Sequence, residues 1–238
     1  DPTVHIPADT QLVAADAKGA GVPMLDLVKE GRAAGTFLIW VAFFCCLLMV
    51  YALGSWLPKL MAGAGYSLGS SLSFLLALNF GGMAGAIAGG WLGDRFSLPK
   101  VVVAFFTAGT LAIALLGFKS PMPVLYLLIF IAGATTIGTQ ILLYANTAQF
   151  YPLAMRSTGL GWASGVGRTG AIVGPLLGGS LLAAALPLQM NFLVFAIPGL
   201  VAALAMGCFI LFNRRSATPL VAPVANPASR RAPTAVSG

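Results

Sequence analysis

Six long apolar stretches between residues 33 and 212 constrain the fold of this 238-residue chain more than any other feature. Each stretch is close to the ~20 residues that an α-helix needs to cross a hydrocarbon core of roughly 30 Å. Backbone groups cannot stay unpaired in lipid, and the stretches are continuous rather than alternating, so they favour helices over barrel strands. The sequence therefore predicts an all-α, polytopic membrane helix bundle with transmembrane helices at 36–57, 72–92, 100–118, 123–144, 158–182 and 190–212.

The segments on either side of the predicted membrane domain, residues 33–212, have a different composition. Residues 1–32 contain five of the six acidic residues and the only histidine, His5, and are interpreted as a cytoplasmic linker left from a central loop. Residues 213–238 are rich in Pro, Ala, Ser and Val, which predicts a disordered cytoplasmic tail. The chain has no initiator Met and no signal-peptide pattern, so we expect it to be a piece of a longer protein.

The distribution of Lys and Arg predicts the orientation. Ten of these residues fall before, between or after the stretches on one side, and only Lys59 and Lys119 fall on the other. The positive-inside rule therefore places both termini in the cytoplasm of a multi-pass protein in the cell inner membrane. The net charge of +7 is explained by this topology, and the scattered basic residues do not indicate nucleic-acid binding.

The sequence offers no catalytic or metal-binding set. Cys45 and Cys46 are adjacent and so point in different directions on a helix, while Cys208 belongs to another stretch. No cluster of His, Cys and carboxylate residues, and no set of nucleophile, base and orienting group, occurs in the membrane region. We therefore expect no metal, no cofactor and no enzymatic activity.

Glycine recurs every four residues in the second and fifth stretches. Such stripes allow another helix to approach closely. Because the two occupy corresponding places in the two halves of the six-helix region, they indicate an internal repeat of three plus three helices, as found in transporters. The stripes are Gly81, Gly85, Gly89 and Gly93 in the second stretch, and Gly170, Gly174 and Gly178, preceded by Gly161 and Gly165, in the fifth.

The segment that follows the second stretch, GGWLGDRFSLPK at 89–100, carries a sharper motif. Gly93, Asp94 and Arg95 occupy a tight turn, where the acid can accept hydrogen bonds from a neighbouring helix N-terminus and the arginine can bind a carboxylate or a lipid phosphate. An ordinary basic turn would explain Arg95 and Lys100 but not Asp94 between Gly93 and Arg95. The motif resembles the signature loop of the major facilitator superfamily, and the resemblance implies a gating or conformational role for these three residues.

A second run, YPLAMRSTGLGWASGVGRTGAIVGPLLGG at 151–179, resembles the tenth-to-eleventh helix region of the aromatic acid/proton symporter family. The resemblance implies that the six stretches are helices seven to twelve, one half of a twelve-helix fold. It also implies a secondary active transporter that moves a small aromatic carboxylate, with protons, and whose partner is a missing N-terminal six-helix half. The membrane stretches contain no acid, so proton coupling would reside in that half.

Arg168 is the strongest candidate for substrate binding. It lies ten residues into the fifth stretch, about 15 Å along the axis, too deep for easy snorkelling. It is interpreted as the counter-charge of an anionic substrate, or else as the partner of an acid on the missing half. Arg156 stands at the cytoplasmic mouth, where it is a topology determinant or a gate residue. The family resemblance favours a functional part for both arginines.

Polar residues in three other stretches are further candidates for the substrate site. Thr136, Gln140 and Tyr144 follow one another at four-residue steps, which would place them on one face of the fourth stretch. Asn79 is a candidate in the second stretch, and the resemblance adds Tyr51 in the first. Each of these side chains alone is more often a contact between helices than a ligand contact.

Two other functions stay open at this point. Related carriers of a sugar or an organic ion share much of the pattern. The other possibility is a half-size membrane protein that dimerises as a channel or sensor. In such a dimer, Asp94 and Arg95 would form a turn that docks onto the partner.

Overall fold

Six long α-helices make up the computed structural model, which describes residues 27–29 and 31–216. They are α1 (Ala33–Gly63), α2 (Leu68–Arg95), α3 (Leu98–Leu116), α4 (Met122–Phe150), α5 (Arg156–Ala183) and α6 (Leu188–Ser216). A short 3₁₀ turn, Leu153–Met155, links α4 to α5. Each helix is long and apolar enough to cross a membrane. The predicted all-α bundle with six membrane helices is confirmed.

The helices extend beyond the apolar stretches. α1 has 31 residues, or roughly 46 Å at 1.5 Å per residue, and it continues through Pro58 and Lys59. α6 continues to Ser216, so the boundary at 213 drawn from hydropathy falls inside a helix. A helix satisfies its own backbone hydrogen bonds in lipid and in water alike, and its end is therefore not marked by the end of the apolar run. Residues 1–26 of the predicted linker and 217–238 of the predicted tail lie outside the described residues.

The strongest helix pairs are not neighbours in sequence. α1 packs mainly on α5, α2 on α4, and α3 on α6, with further contacts of α1 with α6 and of α3 with α4. The pattern is unchanged when α1, α2 and α3 are exchanged with α4, α5 and α6 in that order. The α1–α5 contact then becomes the α4–α2 contact, and the α1–α6 contact becomes the α4–α3 contact. The contacts thus show the three-plus-three repeat that the glycine stripes predicted.

The α2–α4 pair is held at backbone distance by glycine. A Cβ on Gly81 would overlap the carbonyl oxygen of Phe130, and one on Gly85 would overlap that of Ala134. On the opposing helix, a Cβ on Gly138 would stand 2.8 Å from the carbonyl carbon of Gly85. A larger side chain at either surface would force the two helices apart.

The α1–α5 pair repeats this arrangement at Gly170 and Gly174, whose added Cβ atoms would meet the carbonyl oxygens of Phe44 and Leu48. Farther along, Gly178 lies under the indole of Trp56, and the Trp56 Nε1–H donates to the carbonyl oxygen of Pro175 at 2.8 Å. Two corresponding glycine contacts therefore hold the two corresponding helix pairs.

Two glycines of the predicted stripes have no such role. A Cβ on Gly161 or Gly165 would meet no atom within 4 Å. Gly161 precedes Gly170 by nine residues, which is two and a half helical turns and places it on the opposite side of α5. The extension of the α5 stripe to Gly161 and Gly165 is therefore wrong for this helix contact, and those residues form part of an open face.

A short hydrogen-bonded chain secures the end of the bundle where α1 begins and α4 ends. The Tyr151 hydroxyl donates to Thr36 Oγ1 at 2.9 Å, and the Thr36 hydroxyl donates to the carbonyl oxygen of Leu27 at 2.9 Å. Burial raises the pKa of Tyr151, so its hydroxyl stays protonated and serves as a donor. Leu27, from the predicted linker, is fully buried and is thereby tied to the bundle.

Candidate functional site

Arg168 lies close to the middle of α5, on a face that no other helix of this chain covers. It follows the first residue of the 28-residue helix by twelve positions, or roughly 18 Å. Its neighbours Gly167 and Gly170 are buried against α1, whereas Arg168, Thr169 and Gly165 are exposed. Asp94 is the only acidic side chain among the described residues, and it lies at the far end of another helix, so this part of the chain supplies no carboxylate to Arg168.

The exposed face of α5 is notched beside Arg168. A shallow cavity of about 470 Å³ is lined by Thr158, Gly161, Trp162, Gly165, Val166 and Thr169. The notch exists because glycine occupies two successive turns of this face. Trp162 is held at its border by stacking on Trp40, with ring centroids 6.0 Å apart.

The three candidates on α4 do not share one environment. Thr136 is buried, its hydroxyl donates to Ala132 of its own helix at 2.7 Å, and its carbonyl oxygen accepts from the Cys46 thiol. The hydroxyl and carbonyl groups of Thr136 are thus engaged within this chain, because α1 packs over that part of α4, and its role in substrate binding stays a prediction. A four-residue step drifts about 40° around a helix, and the drift moves Thr136 into the core.

Gln140 and Tyr144 are half-buried, closer to the free surface of α4. The Tyr144 hydroxyl and Ser164 Oγ of α5 share a hydrogen bond at 3.1 Å, and the Tyr144 ring stands edge-on to Phe43 at 5.0 Å. These contacts fix the tyrosine between α1, α4 and α5. Ser164 was not singled out in the sequence, although its four-residue spacing from Arg168 could have drawn attention to it.

Asn79 and Tyr51 lie on free faces of two other helices. Asn79 on α2 is exposed, and its amide donates to the carbonyl oxygen of Leu75 in the same helix at 2.8 Å. Tyr51 on α1 is 41% exposed. The candidates are thus divided among α1, α2, α4 and α5.

The predicted gating residues cluster at the ends of helices. Asp94 and Arg95 are exposed at the end of α2, and the Arg95 guanidinium lies over the Trp91 ring at 5.7 Å. A Cβ on Gly93 would stand 2.7 Å from Leu98 Cδ1, so this glycine permits the tight turn into α3. The turn leaves the Asp94 carboxylate at the surface of the bundle, where a partner can reach it.

Arg156 begins α5, and its Nε is buried without a hydrogen-bond partner among the described residues. The same holds for Nδ2 of Asn146, whose side chain is 3% exposed, and for Nε1 of Trp40. These three donors belong to the halves of α1, α4 and α5 nearest Asp94. Asn146 and Trp40 are not among the site residues predicted from the sequence, because an unsatisfied donor becomes visible only in three dimensions.

The described residues contain no group of three or more His, Cys, Asp or Glu side chains that could hold a metal ion. Cys45 and Cys46 are buried free thiols, and Cys208 is an exposed free thiol. The free faces therefore offer hydrogen-bonding groups, aromatic rings and one positive charge at mid-depth of the helix bundle.

Comparison with known sequences identifies the family. The sequence profile described as Major Facilitator Superfamily matches residues 39–236, which is most of the chain. The chain belongs to the Major Facilitator Superfamily. This agrees with the resemblance found at the Gly93–Asp94–Arg95 turn, and the superfamily consists of transporters rather than enzymes.

Individual relatives within the Major Facilitator Superfamily are transporters of aromatic acids. The chain is 45% identical over 208 residues to the benzoate transport protein of Acinetobacter baylyi, covering 87% of this chain and 44% of the relative. It is 45% identical over 179 residues to the gentisate transporter of Corynebacterium glutamicum, covering 74% of this chain and 40% of the relative. It is also 36% identical over 204 residues to the 4-hydroxybenzoate transporter of Acinetobacter baylyi, covering 85% and 44%.

The fold matches a solved superfamily structure. The Escherichia coli fucose:proton symporter superimposes with a TM-score of 0.68 at 17% identity, over 79% of this chain and 46% of the symporter. At that identity the likeness concerns the fold alone. The chain spans about half the length of the curated relatives and of this structure, in agreement with one six-helix half of the twelve-helix fold.

Proposed function

We propose that this chain is the C-terminal half of a secondary active transporter that moves a small aromatic carboxylate across the cell inner membrane, with protons. The names of the benzoate, gentisate and 4-hydroxybenzoate relatives support the substrate class. Candidate residues lie on free faces of α1, α2, α4 and α5, which supports a substrate site shared between this half and a partner half. A path between two such halves is the arrangement by which carriers of this kind alternate access.

One observation carries the proposal for the substrate site: Arg168 is a cation midway along a membrane helix, and this part of the chain offers no carboxylate to neutralise it. A charge at that depth costs at least about 2.5 kcal/mol unless it is solvated or paired. A guanidinium binds a carboxylate through two parallel hydrogen bonds, and it does so best where water is excluded. Arg168 therefore supplies the counter-charge of the substrate.

Proton coupling is assigned to the N-terminal half. A proton carrier needs a titratable group in the membrane, and Asp94 of the described chain lies at the end of α2 instead. The basic residues support the proposed orientation. Lys59 and Lys119 lie on the face opposite to Arg95, Lys100 and Arg156, and the positive-inside rule favours the cytoplasmic side for the Asp94 turn.

Uptake by the complete carrier tests the function. In proteoliposomes with an imposed inward proton gradient, we expect benzoate or 4-hydroxybenzoate to accumulate and benzamide, which lacks the negative charge, not to accumulate. Collapsing the gradient with a protonophore should abolish accumulation. Accumulation of a sugar or an organic cation, without benzoate transport or competition, would contradict the proposed substrate class.

Asp94→Asn in the complete carrier should lower the turnover rate and leave the substrate Kd unchanged. Asp94 is exposed, and it follows the first residue of α2 by about 26 residues, or roughly 39 Å along the helix axis. It can therefore influence a conformational step but not a substrate site at mid-depth. The measurement pairs initial uptake rates with equilibrium binding, and Ser97→Ala in the same turn is the matched control. A large loss of binding affinity in a folded Asp94→Asn protein would overturn the gating assignment.

A further inference from the structure

A half-enclosed pocket of about 550 Å³ lies at the end of the bundle opposite to Asp94. The connection between α1 and α2 contributes Tyr66, the connection between α3 and α4 contributes Phe118, Lys119 and Ser120, and the start of α6 contributes Gln189. The helices that form it, α1, α3, α4 and α6, pack on one another within this chain. The pocket therefore belongs to this half alone and does not require the missing half to be complete.

The pocket has an apolar floor and a polar rim. Met61, Leu116 and Leu125 close the floor, and each is at most 1% exposed because it also belongs to the buried core. Lys119, Ser120 and Gln189 stand at the rim. Such a pocket fits a compact ligand that has one apolar end and one polar end.

The charge of the pocket is positive. Lys119 is its only charged lining residue, and no described carboxylate lies at this end of the bundle. A smaller cavity of about 160 Å³ lined by Lys59 adjoins it and shares Ala64 and Leu188 with it. Two lysines without acidic neighbours give this face a positive potential, which attracts anions from the aqueous side.

We propose that the pocket around Lys119 is a second binding site, on the outer face, for small aromatic carboxylates. The ring lies on the floor formed by Met61, Leu116 and Leu125, and the carboxylate pairs with the Lys119 ammonium and accepts hydrogen bonds at the rim. The volume falls in the range of roughly 300–1,000 Å³ that is usual for small-molecule sites. The ligand class rests on the proposed function, whereas the existence of an anion site with an apolar floor rests on the pocket itself.

An anionic phospholipid headgroup has the same negative charge, but the floor of the pocket favours a compact ring. The three floor residues are part of the core, so the cavity ends inside the bundle and offers no length for two acyl chains. The site is also far from Arg168, which precedes the outer end of α5 by fifteen residues, or roughly 22 Å. The pocket around Lys119 therefore collects substrate at the surface, and Arg168 belongs to the translocation path.

Thiol protection in the complete carrier tests the site without requiring transport. Ser120→Cys, in a protein whose other accessible thiols including Cys208 are replaced, is labelled from the outside with a membrane-impermeant maleimide in proteoliposomes. Benzoate should slow the labelling severalfold, and benzamide should not. Lys119→Gln should require about tenfold more benzoate for half-protection, as expected for the loss of one charge-assisted hydrogen bond. Lys59→Gln, which removes an equal charge from the same face but outside the pocket, should raise the half-protecting concentration much less than Lys119→Gln does.

The same labelling in an Arg168→Ala background separates the two sites. Protection by benzoate should persist there, and adding Lys119→Gln should again raise the benzoate concentration for half-protection about tenfold. Loss of protection in Arg168→Ala, or no protection in any background, would overturn the proposal. Protection by inorganic phosphate or by phosphatidylglycerol vesicles equal to that by benzoate would overturn it in favour of a headgroup site. Uptake of benzoate without protection would refute the outer site and leave the transport function standing.

Discussion

Gly85→Leu is expected to abolish the folded carrier rather than merely slow it. The Cβ alone would overlap the carbonyl oxygen of Ala134, and the isobutyl group would have to enter a helix contact in which backbone meets backbone. Overpacking in a well-packed core costs about 1–3 kcal/mol, and more where the obstacle is backbone that cannot rotate away. Gly174→Leu should behave in the same way at the α1–α5 contact, where the obstacle is the carbonyl oxygen of Leu48.

The measurement is the yield of monodisperse carrier after detergent extraction, together with its thermal unfolding midpoint. Gly207→Leu on α6 is the control, because a Cβ there meets nothing within 4 Å and α6 is not among the helices whose free faces carry the candidate site residues. The control should give a yield close to that of the unmodified protein. Similar losses at Gly85 and at Gly207 would show that the helix surfaces, rather than the close contact, decide the outcome.

Arg168→Ala is expected to remove the preference of the complete carrier for a carboxylate over its neutral amide. Truncating one member of a desolvated charge pair costs about 2–5 kcal/mol, and about 1.4 kcal/mol corresponds to a tenfold loss of affinity. Arg168→Lys should recover only part of the loss, because an ammonium keeps the charge without the two-pronged geometry. The affinity that the ring provides should remain in both variants.

Equilibrium binding of benzoate and benzamide to purified carrier, with Lys119→Gln present to weaken the outer site, measures this preference. Thr169→Val is the matched control, since Thr169 shares the exposed face and its hydroxyl donates within α5 to Val166. Full retention of the anion preference in a folded Arg168→Ala protein would place the counter-charge elsewhere. It would then indicate that Arg168 pairs with an acid of the other half.

Hydropathy was sufficient to predict the number of helices but not their contacts. In a membrane the surface is as apolar as the interior, and Ile87, which is 76% exposed, is no less hydrophobic than the buried Ile129. The sequence could therefore not distinguish Gly174, which touches α1, from Gly165, which faces away from it. It likewise could not show that Thr136 enters the core.

The candidate site was predictable where a rare residue appears in an improbable place. Arg168 is conspicuous because a cation in an apolar stretch is costly, and Asp94 because an acid sits in a basic turn. Tyr51, Asn79 and Gln140 carry no such signal, since hydroxyl and amide groups also join helices. Their arrangement depends on which faces of four helices stay free, and the sequence does not show this.

The interleaved pairing of helices has a consequence for how the chain is made. α1 finds its main partner in α5, and α2 finds its own in α4, so neither is paired with the helix synthesised directly after it. While the ribosome is still producing α3, neither α4 nor α5 is available for the glycine contacts of this bundle. The main helix pairs can therefore form only after the last three helices have been inserted.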